Sequence, residues 1–165
     1  MSKGTRHNDG QKLPGQERAI LKHLQVDSRQ TTSVLAEKVN MSTTPCWRAI
    51  RRLEEGGYIQ AYRASIDRNK LGFGVDAFVI VQVDSHRDED ALEFEAAVRN
   101  EERIIECAIV SGPADYQLRV VADDIEEFSE FSRRTIARMP HVREVRTSFV
   151  LKEIKPFAGY PIPKR

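Results

Sequence analysis

The sequence predicts an α+β protein with a mainly helical N-terminal half and a C-terminal half in the order βαββαβ. Apolar residues recur at helical spacing over residues 14–60, whereas β-rich runs alternate with two helical ones after residue 75. The charge divides in the same way. Residues 1–70 carry 13 Lys and Arg against 7 Asp and Glu, and residues 71–165 carry 13 against 18. The basic first half indicates that contact with a polyanion belongs to the first domain.

The overall composition excludes several classes of protein. With 165 residues, 40% hydrophobic and 31% charged, the chain has the composition of a soluble globular protein of one ordinary or two small domains. No apolar run reaches the roughly 20 residues that cross a bilayer, so no membrane partner is expected. The polar residues 1–13 are predicted to be a flexible arm rather than a signal peptide. We therefore expect a cytoplasmic protein in which Cys46 and Cys107 remain free thiols.

Three helices are predicted in the first half. In PGQERAILKHLQ, Ile20, Leu21 and Leu24 share one face, which indicates a first helix. TTSVLAEKV begins with hydroxyl residues that can cap a second helix, and the turn NMS separates it from a third helix, MSTTPCWRAIRRLEEGG. The alternation in YIQAYRASID predicts a short β-hairpin, or wing. Residues 14–66 are therefore predicted to form a winged helix-turn-helix domain.

A linker precedes the second domain. Residues 67–74, DRNKLGFG, are polar and contain two glycines, which predicts a hinge. Gly72 and Gly74 formally fit a dinucleotide-binding fingerprint, but that motif must follow a strand and open a helix, and here a β-branched run follows. Residues 75–155 give the βαββαβ order of a ferredoxin-like fold, and the proline-rich residues 156–165 are predicted to be an irregular tail.

Both faces of the predicted sheet carry apolar residues. An open βαββαβ sheet covers only one face with its helices. On the opposite face lie Phe78 and Ile80 of the first strand and Val121 of the third, and these residues need another partner. A second copy of the chain would bury them, so a homodimer is predicted. The face assigned to the helices consists of Val75, Ala77, Val79, Val81 and Val83 on the first strand and Tyr116, Leu118 and Val120 on the third.

The third helix has one apolar face. Cys46, Ala49, Ile50 and Leu53 cluster on it, so Cys46 is interpreted as a small core residue rather than a nucleophile or metal ligand. The four histidines are scattered over different elements, and no catalytic constellation is recognisable. We therefore expect no metal site, no cofactor and no enzymatic activity.

The opposite face of this helix is suited to DNA. Its hydroxyl residues lie where a helix N-terminus presents N–H groups to a phosphate. The arginines that follow fit phosphate oxygens and guanine edges in the major groove. An alternative remains open, a solvated face on which the arginines pair with Glu54 and Glu55. Trp47, at the edge of both faces, either packs in the domain or touches DNA. The predicted DNA-binding residues are Thr32, Ser42, Thr43, Thr44, Trp47, Arg48, Arg51, Arg52 and Arg63.

A resemblance to a known family makes this prediction specific. TPCWRAIRRLEEGGYIQAYRASID, preceded by LAEKVNMS, closely resembles the helix-turn-helix of the Lrp/AsnC regulators. ECAIVSGPADYQLRVVADDIEEF and ARMPHVREVRTSFVLKEIK resemble the ligand-sensing βαββαβ domain of the same family. The resemblance covers about residues 15–155. It implies a regulator that binds double-stranded operator DNA, dimers joined through their sheet faces and assembled into tetramers or octamers, and an amino acid effector between dimers.

The resemblance also implies an effector site. Asp115 is expected to pair with an α-ammonium group, or alternatively to cap the turn into the third strand. The family usually has an acidic or polar residue where this chain has Pro113, which lacks a backbone N–H donor, and often an aromatic residue in place of Ala114. An architectural DNA-binding protein without an effector therefore remains an alternative, as does an enzyme on the βαββαβ domain. The implied effector residues are Gly112, Pro113, Ala114, Asp115, Ile125, Thr147, Ser148 and Phe149.

Overall fold

The computed structural model describes residues 13–85 and 87–163, so residues 1–12 of the predicted arm lie outside it. Five α-helices are α1 (Gly15–Val26), α2 (Thr32–Lys38), α3 (Thr43–Glu55), α4 (Asp88–Arg99) and α5 (Ile125–Arg134). Four strands are β1 (Val75–Val83), β2 (Ile104–Ile109), β3 (Tyr116–Ala122) and β4 (Val142–Phe149). The chain divides into two units between Ser65 and Ile66 and again between Ile154 and Lys155. We call them the helical unit, to which the chain returns after Ile154, and the sheet unit.

The helical unit is built around the predicted apolar faces of its helices. The Thr31 hydroxyl accepts the N–H of Val34 at 3.3 Å and so caps α2. Cys46 is fully buried, and burial raises the pKa of its thiol. Its assignment to the core is therefore correct. The buried residues of this core are Ile20, Leu21, Leu35, Ala36, Val39, Cys46, Ala49 and Leu53.

The predicted β-hairpin after α3 is wrong, because residues 58–66 contain no strand. All of them are exposed except Ile59, which packs against the helical core. A two-stranded hairpin is marginal without a third strand or an apolar face to bury. The segment therefore runs as an irregular arm, and alternation of residue types was not sufficient evidence for a wing.

The C-terminal tail packs on α1. The side-chain amide of Gln25 donates to the carbonyl oxygen of Tyr160 at 3.0 Å, and its oxygen accepts the N–H of Tyr160 at 2.6 Å. Ile162 adds an apolar contact with the helical core. The tail is thus irregular, as predicted, but it is held by a paired hydrogen bond.

The sheet unit has the predicted ferredoxin-like topology. Its four antiparallel strands lie in the order β2-β3-β1-β4, and α4 and α5 cover one face. The Asp124 carboxylate accepts the N–H of Glu127 at 2.8 Å, and the Glu127 carboxylate accepts the N–H of Asp123 at 3.0 Å. This reciprocal pair fixes the start of α5. The strand residues predicted to face the helices are all buried.

The two glycines of the predicted linker have structural roles. Gly72 has φ 95° and ends a short 3-10 turn, Arg68–Leu71. The N–H of Gly74 donates to the carbonyl oxygen of Asp123 at 3.0 Å, and a Cβ atom at Gly74 would lie 2.6 Å from that oxygen. Only glycine permits this approach. Strand β1 follows directly, so the pair lacks the strand-turn-helix context of a dinucleotide site.

The face of the sheet opposite the helices, which we call the open face, combines apolar and charged residues. Phe78 is 36% exposed, and Ile80 is half-buried. Val121 is buried within the chain itself, so it does not need the second copy that the sequence suggested for it. Asp76 is only 3% exposed and accepts two hydrogen bonds from Arg119, at 2.7 and 3.1 Å.

Candidate DNA-binding surface and effector loop

The N-terminus of α3 presents polar groups to the surface. Ser42 begins the helix in an extended conformation, and its side chain makes no capping hydrogen bond. Thr43 and Thr44 are exposed beside it. The N–H groups of a first helical turn have no partner within the helix, and they favour an anion. This end of α3 can therefore donate hydrogen bonds from hydroxyl and backbone groups to one phosphate.

Two of the predicted arginines extend this surface along α3. Arg48 is exposed and forms no ion pair with any residue in the described part of the chain. Arg51 lies 3.2 Å from the Glu55 carboxylate, and its guanidinium carbon is 5.6 Å from the Trp47 ring centroid. The intrahelical pairing that the sequence left open is thus observed for Arg51. Arg48 retains its full charge for an external anion.

Arg52 has a partner inside the unit. Its Nε and Nη2 atoms donate to one carboxylate oxygen of Glu17 on α1, at 3.0 and 2.7 Å. Glu17 is 8% exposed, so this contact ties α3 to α1. The sequence analysis missed Glu17, although its position three residues before Ile20 places a carboxylate at the edge of the apolar face of α1. A DNA contact by Arg52 stays a prediction.

We expect Glu17→Ala and Arg52→Ala each to lower the free energy of unfolding by about 1.5–3 kcal/mol, because the hydrogen bonds involve charged groups and one partner is buried. Urea denaturation of each variant measures the loss. The double variant should lose little more than either single one. Additive losses would show that the two side chains act independently.

Trp47 lies at the edge of an open cavity of about 240 Å³ in the helical unit. Thr32, at the start of α2, lines the same cavity together with Arg51 and Tyr62. Thr32, Trp47 and Arg51 are thus brought to one side of the unit, as a shared DNA surface requires. Arg63 is exposed in the arm that follows α3 but does not line the cavity.

Tyr62 anchors that arm, since its hydroxyl donates to the Glu54 carboxylate at 2.8 Å. Burial, followed by this hydrogen bond and the charge of Glu54, raises the pKa of Tyr62 to about 12. The folded pKa lies above the ordinary value of about 10. The contact therefore stabilises the fold fully below pH 10, and its contribution is lost as the pH rises through 12.

An alkaline titration followed by tyrosinate absorbance should show this late step. We expect Tyr62→Phe to remove it and Glu54→Gln to move it to lower pH, because the carboxylate is the acceptor. A late step that survived in Tyr62→Phe would contradict the assignment.

The predicted effector loop, Gly112–Asp115, joins β2 to β3 and is fastened to the end of β1. One carboxylate oxygen of Asp115 accepts the N–H of Val83 at 2.9 Å. The carbonyl oxygen of Pro113 accepts a hydrogen bond from the side-chain amide of Gln82. Gly112 adopts φ 113°, and Ala114 is buried. Asp115 thus has a structural role at the end of β1, and its pairing with an ammonium group stays a prediction.

The remaining predicted effector residues lie at the other end of the sheet. Phe149 pairs with Ala77 on β1 and contacts the Phe128 ring, with centroids 5.1 Å apart. Thr147 and Ser148 precede it on β4, and all three are exposed. Ile125 begins α5, three residues after the end of β3. Six residues of β1 separate Ala77 from Val83, or about 20 Å at strand spacing. One chain therefore does not bring the two groups together.

Two general features of the site-bearing regions were also assessed. Within residues 13–85 and 87–163, no helix is long and apolar enough to cross a membrane. Over the same residues, no group of three or more His, Cys, Asp and Glu side chains is arranged to hold a metal ion.

Comparison with known protein families gives two matches. Residues 15–60 match the model of a winged helix-turn-helix DNA-binding domain, and residues 76–159 match that of the Lrp/AsnC ligand binding domain. The DNA-binding transcriptional activator DecR of Escherichia coli K12 is 33% identical over 146 residues, covering 88% of this chain and 96% of DecR. The leucine-responsive regulatory protein of Serratia marcescens is 35% identical over 152 residues, covering 89% and 93%.

Solved structures agree with these matches. A transcriptional regulator of Neisseria meningitidis in complex with L-methionine is 32% identical, with a TM-score of 0.87 over 90% of this chain and 96% of that one. An AsnC family transcriptional regulator of Agrobacterium tumefaciens is 37% identical, with a TM-score of 0.85 over 90% and 97%. Fold and sequence thus agree with the resemblance found in the sequence.

Proposed function

Because the chain belongs to the Lrp/AsnC family and is a DNA-binding transcriptional regulator, we propose that it reads an operator through the exposed face of α3. The observation that carries this proposal is the surface of Ser42, Thr43, Thr44 and Arg48, on a helix whose other face is core. Hydroxyl and backbone groups would position α3 on a phosphate, and Arg48 would reach a phosphate or a guanine edge. The protein acts in the cytoplasm, by binding rather than by catalysis.

The operator is bound by a homodimer. Phe78 and Ile80 on the open face of the sheet support this arrangement, because a second copy would remove both from water. The two copies of α3 would enter successive major grooves, one helical turn or about 34–36 Å apart. The operator is therefore pseudo-palindromic.

An amino acid bound between dimers modulates this binding. The two groups of predicted effector residues lie at opposite ends of the sheet in one chain, so a site that uses both takes them from different copies. The L-methionine bound to the Neisseria regulator supports an amino acid as the ligand class. Coupling to DNA would arise from a difference in effector affinity between tetrameric or octameric assemblies.

A second candidate is an architectural DNA-binding protein without an effector. Pro113 supports it, because this residue has no N–H for a ligand carboxylate and its carbonyl group is already bonded to Gln82. Buried Ala114 provides little additional surface. Calorimetric titration with each of the common amino acids separates the two candidates, since an architectural protein would give no binding heat.

Genome-wide mapping of bound DNA, followed by gel-shift titration on a recovered fragment, tests the main proposal. We expect a fragment with two related half-sites to bind far more tightly than the same fragment with its half-sites scrambled. Equal affinity for both fragments would overturn sequence-specific regulation. A half-site spacing unrelated to the helical repeat would overturn the symmetric dimer.

A further inference from the structure

A cavity of about 380 Å³ opens between α4 and β2 in the sheet unit, and no residue of the predicted effector set lines it. This size falls in the range of small-molecule pockets. On β2, Cys107 and Ile109 pair with Leu118 and Tyr116 of β3, so they point to the helix side of the sheet. The lining residues are Glu95, Val98, Arg99, Cys107, Ile109 and Tyr116.

Tyr116 provides a polar group at the base of this cavity. The residue is 4% exposed, and its ring lies 4.5 Å from that of Phe94. Its hydroxyl has no hydrogen-bond partner among the described residues. Yet none of their fully buried side-chain oxygens or nitrogens lacks a partner. The hydroxyl therefore reaches the cavity, where it can donate to or accept from a bound molecule.

The inner lining is uncharged at neutral pH. Burial, followed by the negative charge of Glu95, raises the pKa of both the Cys107 thiol and the Tyr116 phenol. Both groups are therefore protonated at pH 7. Together with Val98 and Ile109 they form a neutral and largely apolar surface.

The two charged lining residues are neighbours on α4. Arg99 Nη2 lies 2.6 Å from a carboxylate oxygen of Glu95, one helical turn away. The Arg99 side chain is well exposed, so it lies at the mouth of the cavity. An exposed pair of this kind is weak, and its partners can be exchanged at small cost. A zwitterion would satisfy both, with its carboxylate on Arg99 and its ammonium on Glu95.

We propose that this cavity binds an α-amino acid with an aliphatic or thioether side chain. The side chain would lie against Val98 and Ile109, and the Tyr116 hydroxyl would hydrogen-bond the ligand carboxylate beside Arg99. The ligand class rests on the proposed function. The location does not, because this pocket is built within one chain and is separate from the Gly112–Asp115 loop.

Cys107 provides a direct reporter of occupancy in the intact protein. The chain has two cysteines, and Cys46 is fully buried, whereas Cys107 is exposed and lines the cavity. We expect L-leucine or L-methionine at ten times its dissociation constant to slow the reaction of Cys107 with Ellman's reagent about tenfold, by simple occupancy. L-Leucinamide and N-acetyl-L-leucine, which each lack one charge, should give no protection. Cys107→Ser identifies the reacting thiol.

Variants of the lining decide whether the ligand lies in this cavity. Arg99→Ala at the surface and the conservative Tyr116→Phe should each weaken protection by tenfold or more, about 1.4 kcal/mol. Arg134→Ala removes the equivalent exposed pair with Glu130 on α5 and should leave protection unchanged. The proposal is overturned if protection survives in Arg99→Ala but is lost in Asp115→Asn, which would place the effector at the loop.

The proposal and the proposed function can fail separately. If neither amino acid protects Cys107 while the protein still selects its operator in gel-shift titration, the cavity proposal is overturned and DNA regulation stands. If protection follows the lining variants but scrambled and intact operators bind equally, the cavity is supported and the regulatory proposal fails.

Discussion

Replacing Arg48 by alanine is expected to weaken operator binding by about 1–3 kcal/mol for each half-site that a dimer occupies. The side chain is exposed, follows the polar start of α3 by one turn, and has no ion-pair partner among the described residues. Its whole charge is therefore available to DNA. If the contact is to a phosphate, the slope of log affinity against log salt falls by about 0.9 for each contact. Gel-shift titrations at several salt concentrations measure both effects.

Two comparisons make the Arg48 result specific. Arg51→Ala should also weaken binding and flatten the salt slope, but by less, because Arg51 already pairs with Glu55 and stacks near Trp47. Arg134→Ala in the sheet unit removes the same charge from an exposed helix and should leave both quantities unchanged. If Arg48→Ala behaved like Arg134→Ala, the exposed face of α3 would not be the DNA-reading surface.

Sequence periodicity predicted the parts of the fold that depend on one element at a time. The buried face of α3, including Cys46, follows from helical spacing alone, and the buried face of β1 follows from strand alternation. The hairpin after α3 failed because alternation says nothing about whether a partner strand exists. Local pattern thus predicts which side of an element is apolar, but not what that side packs against.

Contacts between distant residues were beyond the sequence. Glu17 and Arg52 are 35 residues apart, and nothing local indicates that they meet. The resemblance supplied a set of effector residues, but only the strand register separates Asp115 from Phe149 by the length of β1. The pocket beneath α4 likewise depends on how β2 pairs with β3. These features belong to tertiary packing, which composition and spacing do not determine.

Asp76→Ala is expected to produce the largest loss of stability in the sheet unit, about 3–5 kcal/mol. Asp76 is buried on the open face and receives two hydrogen bonds from Arg119, whose guanidinium carbon lies 5.7 Å from the Phe78 ring centroid. Removing the carboxylate leaves a partly buried cation. Glu153 at 3.3 Å compensates in part, which places the loss toward the lower end of the range. Urea denaturation at fixed protein concentration measures it, since the proposed dimer makes the midpoint concentration-dependent.

A matched variant and a double variant test the cause of this loss. Glu130→Ala breaks an exposed ion pair with Arg134 and should cost at most about 1 kcal/mol. Replacing both members of the buried pair, Asp76→Leu with Arg119→Met, should recover most of the stability, because apolar groups of similar size carry no desolvation penalty. If Asp76→Ala cost no more than Glu130→Ala, the buried pair would contribute nothing beyond an exposed one. If the double variant remained as unstable as Asp76→Ala, the loss would come from packing rather than from an unpaired charge.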